Sequence, residues 1–383
     1  MAYYSIFPEK DSTIYSHPDR TRLNTGKDEV LELLEEKDSS KEIYYPSRFL
    51  IKFKNTEIKE VLETKLKGIS TWATHLEVFA TEHKSLHSQQ IVQVYAISQS
   101  WDEGTGRFKN NPSSSNGVTW DMRTATGSST RAIWATSSFA TNSTGSSCDF
   151  MISGGGTWWT GADFTAENSF VNSDNLDLDL NVTTIVQKYS ASFYQSSTYP
   201  TGIENEGFLI KKPEATECDG SASFGELQYF SVDTHTIYPP KLTFKWDDSS
   251  YDPSSGATTL DSGDIFLSLW NNKTIFQRKS QQRFRLTTRK RFPDRAFVTS
   301  SNYLDIQYLT TASYYSLRDA TTDEIIIPFD TSYTKLSADS DGMYFDLWME
   351  GLQPERYYKF QFRVDNNDGT NIYDEDYYFK VVR

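Results

Sequence analysis

Cysteine is almost absent from this chain, which has only Cys148 and Cys218 among its 383 residues. A secreted domain that depends on disulfides carries more cysteines than this, so we expect two free thiols. The N-terminus lacks the basic and apolar regions of a secretory signal, and no apolar run reaches the length that spans a membrane. We therefore expect a protein that stays in the cytoplasm in which it is made and has no membrane partner.

Catalytic motifs are also lacking. The five histidines show no metal-ligand spacing with the cysteines, and no phosphate-binding loop, dinucleotide fingerprint or nucleophile elbow occurs. Glycoside hydrolysis needs two carboxyl groups opposed across a cleft, and pairs such as Asp339 and Asp341 give no specific sign of that. That pair is more typical of a hairpin turn than of a calcium loop. We predict a protein that is not an enzyme and has no cofactor.

Acidic residues outnumber basic ones over the whole chain, but positive charge is concentrated in one segment. The net charge of −14 argues against a general nucleic-acid binder, because neutralising phosphates requires a surplus of lysine and arginine. Residues 278–295 contain eight basic side chains and one acid, a local charge of +7. The predicted interface residues in this segment are Arg283, Arg285, Arg289, Lys290 and Arg291. Alternation with Phe284 and Leu286 predicts that Arg283 and Arg285 are exposed, either as an interface for an acidic neighbour or as an ordinary solvated strand face.

What the chain does contain is aromatic residues in short polar strands. Tyrosine, phenylalanine and tryptophan make up 15% of the sequence, which argues against disorder even though total hydrophobic content is only 37%. Period-two alternation is clearest over residues 241–246, 343–350 and 358–364. Residues 76–97 are predicted to form a hairpin, and residues 55–62 a short helix that begins with a capping asparagine. The predicted fold class is all-β.

Five segments of the first two thirds occur in an order that resembles the DNRLRE family of jelly-roll domains. They are residues 7–16 (FPEKDSTIYS), 47–53 (SRFLIKF), 101–104 (WDEG), 207–211 (GFLIK) and 239–244 (PPKLTF). The resemblance implies an N-terminal jelly-roll β-sandwich over residues 1–248. It also implies a strand within residues 27–37, against their helical propensity, and a helical turn at residues 181–186. Related modules often hold a structural calcium, for which Asp11 and Asp163 are the candidate ligands.

The last third resembles an immunoglobulin-like or fibronectin type III sandwich. The resemblance lies in the turn Gly351-Leu352-Gln353-Pro354, which is followed by Tyr357 and Tyr358. It implies that the leucine enters the core and that the proline fixes the turn. A turn-rich linker over residues 249–257 separates the two predicted domains. The second domain then covers residues 258–383, and a generic antiparallel sandwich is the alternative.

A long loop over residues 104–165 departs from the compact jelly-roll pattern and contains tryptophans. Loops often carry recognition, and tryptophan faces stack on sugar rings or anchor protein interfaces. Trp134, Trp158 and Trp159 are the candidate recognition residues, with core packing as the alternative for each. Trp101 and Trp120 are predicted to be core or loop-anchoring residues.

The whole chain resembles structural proteins of marine, cyanophage-like tailed bacteriophages, in segments such as 289–297 (RKRFPDRAF) and 314–320 (YYSLRDA). This resemblance implies a virion component of the neck, collar or tail, or a capsid decoration, assembled in the host cytoplasm. Its partners would be other virion proteins and further copies of itself. The alternative is a carbohydrate-binding module or host-glycan adhesin with a polysaccharide ligand.

Overall fold

The computed structural model describes residues 2–38, 43–86, 89–110, 116–126, 130–135, 154–171, 174–194, 202–218, 225–270, 272–292 and 306–383. The chain divides into two compact units. We call Ile6–Lys67 with Ala73–Thr243 the N-terminal unit, and Met1–Ser5, Gly68–Trp72 and Phe244–Arg383 the C-terminal unit. Strands dominate the described residues of both, which confirms the all-β sandwich class predicted from the sequence.

The strands and helices of the first 250 residues are short. The strands are β1 (Ala2–Ile6), β2 (Lys10–Tyr15), β3 (Val30–Leu33), β4 (Glu35–Asp38), β5 (Ile43–Lys52), β6 (Trp72–Val78), β7 (Ala80–Lys84), β8 (Gln89–Ala96), β9 (Met122–Thr126), β10 (Thr130–Ile133), β11 (Thr165–Val171), β12 (Leu178–Asn181), β13 (Phe208–Lys211), β14 (Glu226–Phe230) and β15 (Lys241–Trp246). The α-helices are α1 (Asn55–Glu60), α2 (Thr183–Tyr194) and α3 (Glu214–Cys218).

The main sheet of the N-terminal unit has the strand order β11-β8-β13-β5-β2, with β4 also paired to β5. A smaller sheet has the order β3-β14-β7, β12 pairs with β6, and β9 pairs with β10. The strands β3 and β4 confirm the extended structure predicted within residues 27–37. The hairpin predicted for residues 76–97 is wrong, because β7 pairs with β14 while β8 pairs with β11 and β13.

The predicted helices are present. Helix α1 begins at Asn55 and continues as one π-helical turn, Val61–Lys65, with Ile58 and Val61 buried. Lys54, not Asn55, is the N-cap, and its side chain makes no capping hydrogen bond. Helix α2 extends the turn predicted at residues 181–186 to three turns, because Ile185, Val186 and Tyr189 continue its buried face.

The Asn24 side chain of the N-terminal unit binds two segments that are distant from it in the sequence. Its side-chain amide donates to the carbonyls of Glu103, at 2.7 Å, and Val118, at 2.8 Å, and its Oδ1 accepts from the Gly106 N–H at 2.8 Å. Gly104 has a φ of +83°, and a Cβ there would lie 2.3 Å from the Asn24 Oδ1. Trp101 and Trp120, predicted as core or loop-anchoring residues, are buried in the adjoining apolar cluster.

The C-terminal unit continues with a second series of strands. They are β16 (Thr258–Leu260), β17 (Ile265–Trp270), β18 (Ile275–Gln277), β19 (Gln281–Lys290), β20 (Gln307–Leu309), β21 (Ser313–Asp319), β22 (Ile325–Ile327), β23 (Ser337–Asp339), β24 (Gly342–Trp348), β25 (Tyr357–Asn366) and β26 (Gly369–Val382). One sheet has the order β16-β20-β19-β24-β23, with β17 on the other side of β19. The second sheet has the order β18-β26-β25-β21-β22.

Aromatic rings fill the space between these two sheets. Phe345 of β24 stacks on Phe284 of β19 at 5.2 Å and on Tyr315 of β21 at 4.5 Å between ring centroids. Phe360 of β25 meets Phe284 edge-on at 4.8 Å. Leu352 joins the same core, as the turn motif predicted. The predicted alternation of β24 and β25 is confirmed, because the core contains Met343, Phe345 and Leu347 of β24 and Tyr358, Phe360, Phe362 and Val364 of β25.

Candidate protein-interaction face

The basic strand β19 has one face in the core and one face outside. Phe284, Leu286 and Thr288 are buried, whereas Arg283, Thr287 and Arg289 are exposed. Because successive side chains of a strand point to opposite faces, the alternation of the sequence places the arginines outward. Arg283, Arg285 and Arg289 of the predicted interface therefore lie on the outer face of this sheet.

Arg283 and Arg285 are each held by an aspartate of the same sheet. The Arg283 guanidinium donates two hydrogen bonds to Asp346, at 2.9 and 2.8 Å, and Arg285 donates two to Asp339, both at 2.8 Å. These hydrogen bonds raise the pKa of both arginines, and that from Arg285 lowers the pKa of Asp339. The side chain of Arg285 is only 20% exposed, so the prediction of free exposure is wrong for this residue because it is paired.

At the end of the strand, unlike Arg283 and Arg285, Arg289 makes no hydrogen bond to a carboxylate among the described contacts. Its guanidinium lies 4.5 Å from the ring centroid of Phe266 and donates to the carbonyls of Lys290, at 3.2 Å, and Arg291, at 3.4 Å. Arg289, Lys290 and Arg291 are all exposed. Backbone pairing places Phe266 directly opposite Arg289. Exposed positive charge is therefore concentrated at residues 289–291.

Sequence reasoning missed the aromatic part of this surface. Phe266 and Trp270 of β17 project to the same side as the arginines and are 39% and 64% exposed. Trp270 lies opposite Arg285 in the ladder, and the Tyr344 ring lies 4.1 Å from the Arg283 guanidinium. The sequence signal for it is the alternation of residues 265–270, Ile-Phe-Leu-Ser-Leu-Trp, which places Phe266 and Trp270 on one face of a strand.

We call this surface the aromatic–arginine face. It consists of Phe266, Trp270, Arg283, Arg285, Arg289 and Tyr344. Tryptophan, tyrosine and arginine are the residues enriched at the energetic centres of protein interfaces. The two aspartate pairs fix the guanidinium planes before a partner binds, so less side-chain entropy is lost on association.

The three candidate recognition tryptophans lie in different environments. Trp134 is buried and its indole N–H donates to the Thr119 carbonyl at 3.0 Å, which favours the core alternative for this residue. Trp158 is partly buried against the same apolar cluster. Trp159 is 41% exposed and lies 5.9 Å from the ring of Phe164. Only Trp159 offers a well-exposed ring among the three.

Beneath Trp158 lies a buried group of charges. Arg48 donates to both carboxylate oxygens of Glu217, at 3.0 and 2.7 Å, and Lys211 lies 3.2 Å from the same carboxylate. Arg48 also donates to the Gly155 carbonyl at 2.8 Å and lies 5.2 Å from the Trp158 ring. Burial alone would raise the pKa of Glu217, but the two cations more than offset it and lower that pKa. This group anchors β5, β13 and α3 to one another.

The candidate calcium ligands already have protein partners. Asp11 is buried and accepts from the Val232 N–H at 2.6 Å, while Lys27 bridges the neighbouring carboxylates of Glu103, at 2.7 Å, and Asp233, at 3.2 Å. Burial raises the pKa of Asp11 well above its ordinary range. Asp163 lies 3.0 Å from the Lys188 ammonium. Across the described ranges, no group of three or more His, Cys, Asp or Glu side chains could hold a metal ion.

No family model matches this chain, and no curated protein matches it either. The DNRLRE-like and phage-like resemblances therefore remain predictions.

Among the helices that the structure describes, none has the length and apolar character needed to cross a bilayer. Cys148, one of the two cysteines predicted to be free thiols, lies outside the described residues.

Proposed function

We propose that this chain is a non-enzymatic structural component of a tailed-phage virion, in the neck, collar or tail, that acts through protein–protein contacts. The observation that carries the contact role is Trp270, 64% exposed beside the arginines of the aromatic–arginine face. A large aromatic side chain left in solvent and flanked by arginine is typical of an interface without its partner. The virion assignment rests on the sequence resemblance.

The architecture supports this role. The strand orders β17-β19-β24-β23 and β26-β25-β21 correspond to the two sheets of an immunoglobulin-type sandwich, which supports the predicted topology of the C-terminal domain. Rigid sandwiches place interface side chains on strands, where their geometry is fixed more firmly than on loops. Such modules suit repeated assembly, because each copy presents the same preformed surface.

Mass spectrometry of purified particles from the source tests the assignment. We expect the chain at a fixed stoichiometry relative to the other particle proteins, and its absence from particles would refute the virion role. When the Trp270→Ala or Arg289→Ala variant replaces the native chain during assembly, the particles should contain fewer copies of the variant than native particles contain of the native chain. Ile372→Ala is the matched control, since Ile372 is 59% exposed on the other sheet of the same unit.

Carbohydrate binding is a second candidate function, favoured by the exposed ring of Trp159. The acid Asp163 and the cation Lys188 lie beside its neighbour Phe164, so polar groups flank an aromatic surface. Sugar recognition commonly combines these two elements. Affinity electrophoresis in gels that contain polysaccharide tests this candidate. Retardation that Trp159→Ala abolishes would support it, whereas equal mobility in the presence and absence of each polysaccharide would remove it.

A further inference from the structure

One edge of the C-terminal unit is formed by β17, Ile265–Trp270. Within the described part of the chain, β17 pairs with β19 alone, so its other side has no strand neighbour there. The Leu267 carbonyl accepts one long hydrogen bond, 3.4 Å, from the Tyr377 hydroxyl. Edge strands are usually protected by charged residues, proline or a bulge. The six residues of β17 contain no charge and no proline, and their pairing with β19 has no register shift.

The sequence of this edge strand is nearly symmetric about Ser268. Reading outward from it, Leu267 and Leu269 come first, followed by Phe266 and Trp270. The leucines are buried towards the core, and the two aromatic side chains share the outer face. A two-fold axis through Ser268 would place each aromatic residue opposite an aromatic residue of the other copy, and each leucine opposite a leucine.

We propose that two copies of this chain associate by antiparallel pairing of their β17 strands about Ser268. In this register Phe266 opposes Trp270 of the second copy, and the two residues of each opposed pair lie on the same face of the joined sheet, as a pleated ladder requires. A register shifted by one residue would oppose Phe266 to the inward-facing Leu269. Aromatic cross-strand pairs are among those that stabilise sheets most.

The charges around the edge are compatible with this arrangement. No charged side chain lies on the pairing strand itself, although the chain carries a net charge of −14. Arg289 of one copy and Arg285 of the other would be separated by three strand spacings, about 14 Å, which exceeds the screening length of about 8 Å in physiological salt. Between them lie Phe266 and Trp270 of the two copies, whose ring faces attract the guanidinium groups.

The size of the contact predicts a weak dimer. A standard interface buries about 800 Å² on each partner, whereas this overlap is one strand about 17 Å long. We therefore expect a dissociation constant above about 1 µM, with repeated copies in an assembly adding avidity. The inference deepens the proposed function, on which its biological role rests, by naming a second copy as the partner.

Sedimentation velocity of the purified chain at increasing concentration tests the proposal. We expect a monomer–dimer equilibrium that Ser268→Lys weakens by about fivefold, because two like charges would then oppose each other across the axis. The matched control is Thr287→Lys, which adds the same charge to the same face one strand further from the axis. Equal dimerisation of the two variants, or a wild-type chain that stays monomeric up to about 0.1 mM, would overturn the proposal.

A cross-linking experiment covers the case in which Ser268→Lys folds poorly. Residues directly opposed in an antiparallel pair have Cβ atoms about 4.5–5.5 Å apart, close enough for a disulfide after a small adjustment. In a background with Cys148→Ser and Cys218→Ser, oxidised Ser268→Cys should give a covalent dimer far faster than Thr287→Cys. Equal rates would contradict the proposed register. Both assays use the purified chain. A negative result would therefore refute the dimer without deciding whether the chain is present in particles, which mass spectrometry tests separately.

Discussion

Arg48 and Glu217 form a bidentate ion pair with both side chains buried, at 3.0 and 2.7 Å, although 169 positions separate them in the sequence. Lys211 and the Gly155 carbonyl complete the group. A buried charge is tolerated only where its partner and its hydrogen bonds are all present. Each member of this group therefore depends on the others.

Glu217→Gln should lower the free energy of unfolding by about 3–5 kcal/mol, because it leaves Arg48 and Lys211 buried without a counter-charge. Urea unfolding followed by circular dichroism measures the change. The control is Glu204→Gln, which removes an exposed carboxylate of the same unit and should alter stability by less than about 0.5 kcal/mol. Similar effects of the two substitutions would contradict the inferred role of the pair.

Asp11→Asn should stabilise the protein increasingly as pH rises. Burial raises the pKa of Asp11 in the folded state well above 3.8, so the folded protein binds more protons than the unfolded chain between the two pKa values. Stability contributed by this residue therefore falls as pH rises from the unfolded towards the folded pKa. The asparagine side chain can still accept the hydrogen bond from the Val232 N–H. Because it does not ionise, the variant does not lose this stability as pH rises.

Thermal unfolding of Asp11→Asn and the wild type at about pH 4, 6 and 8 measures this difference. The substitution Asp19→Asn serves as the control, since the Asp19 side chain is 91% exposed. A stability gap between Asp11→Asn and wild type that does not change with pH would show that Asp11 ionises normally.

Lys212→Met should remove a pH dependence of opposite sign. Burial lowers the pKa of Lys212 from 10.5 to about 7, so the unfolded chain binds more protons between these values. The wild type should therefore gain stability as pH rises from about 7 towards 10, while the methionine variant gains less. Urea midpoints across this range measure the effect, and parallel curves for the two proteins would contradict it.

Phe284→Ala should destabilise the C-terminal unit by about 3–5 kcal/mol, because the ring packs at the centre of the aromatic core and its removal leaves a cavity. Phe292→Ala, at a side chain that is 75% exposed, is the matched control and should be nearly neutral. Denaturant unfolding of both variants provides the test. A large effect of the Phe292 substitution would show that this ring is covered in the isolated chain.

Local patterns predicted much of the secondary structure. The alternation of β24 and β25 and the strands within residues 27–37 follow from side-chain periodicity or motif order, and α1 follows from its apolar spacing. Pairing was harder to predict, as the wrong hairpin at residues 76–97 shows. Strand partners there are chosen by long-range burial, which no local pattern encodes.

The sequence by itself determined the all-β class, the aromatic core and the outward face of β19, because these depend on composition and on a two-residue period. Only the tertiary structure decided which charges are compensated. Asp346 on the adjacent strand β24 neutralises Arg283, and Asp339 on the next strand, β23, neutralises Arg285; each acid lies more than fifty positions from its arginine in the sequence. It also placed Phe266 and Trp270 beside the arginines, because strand pairing brings together side chains that the sequence keeps apart.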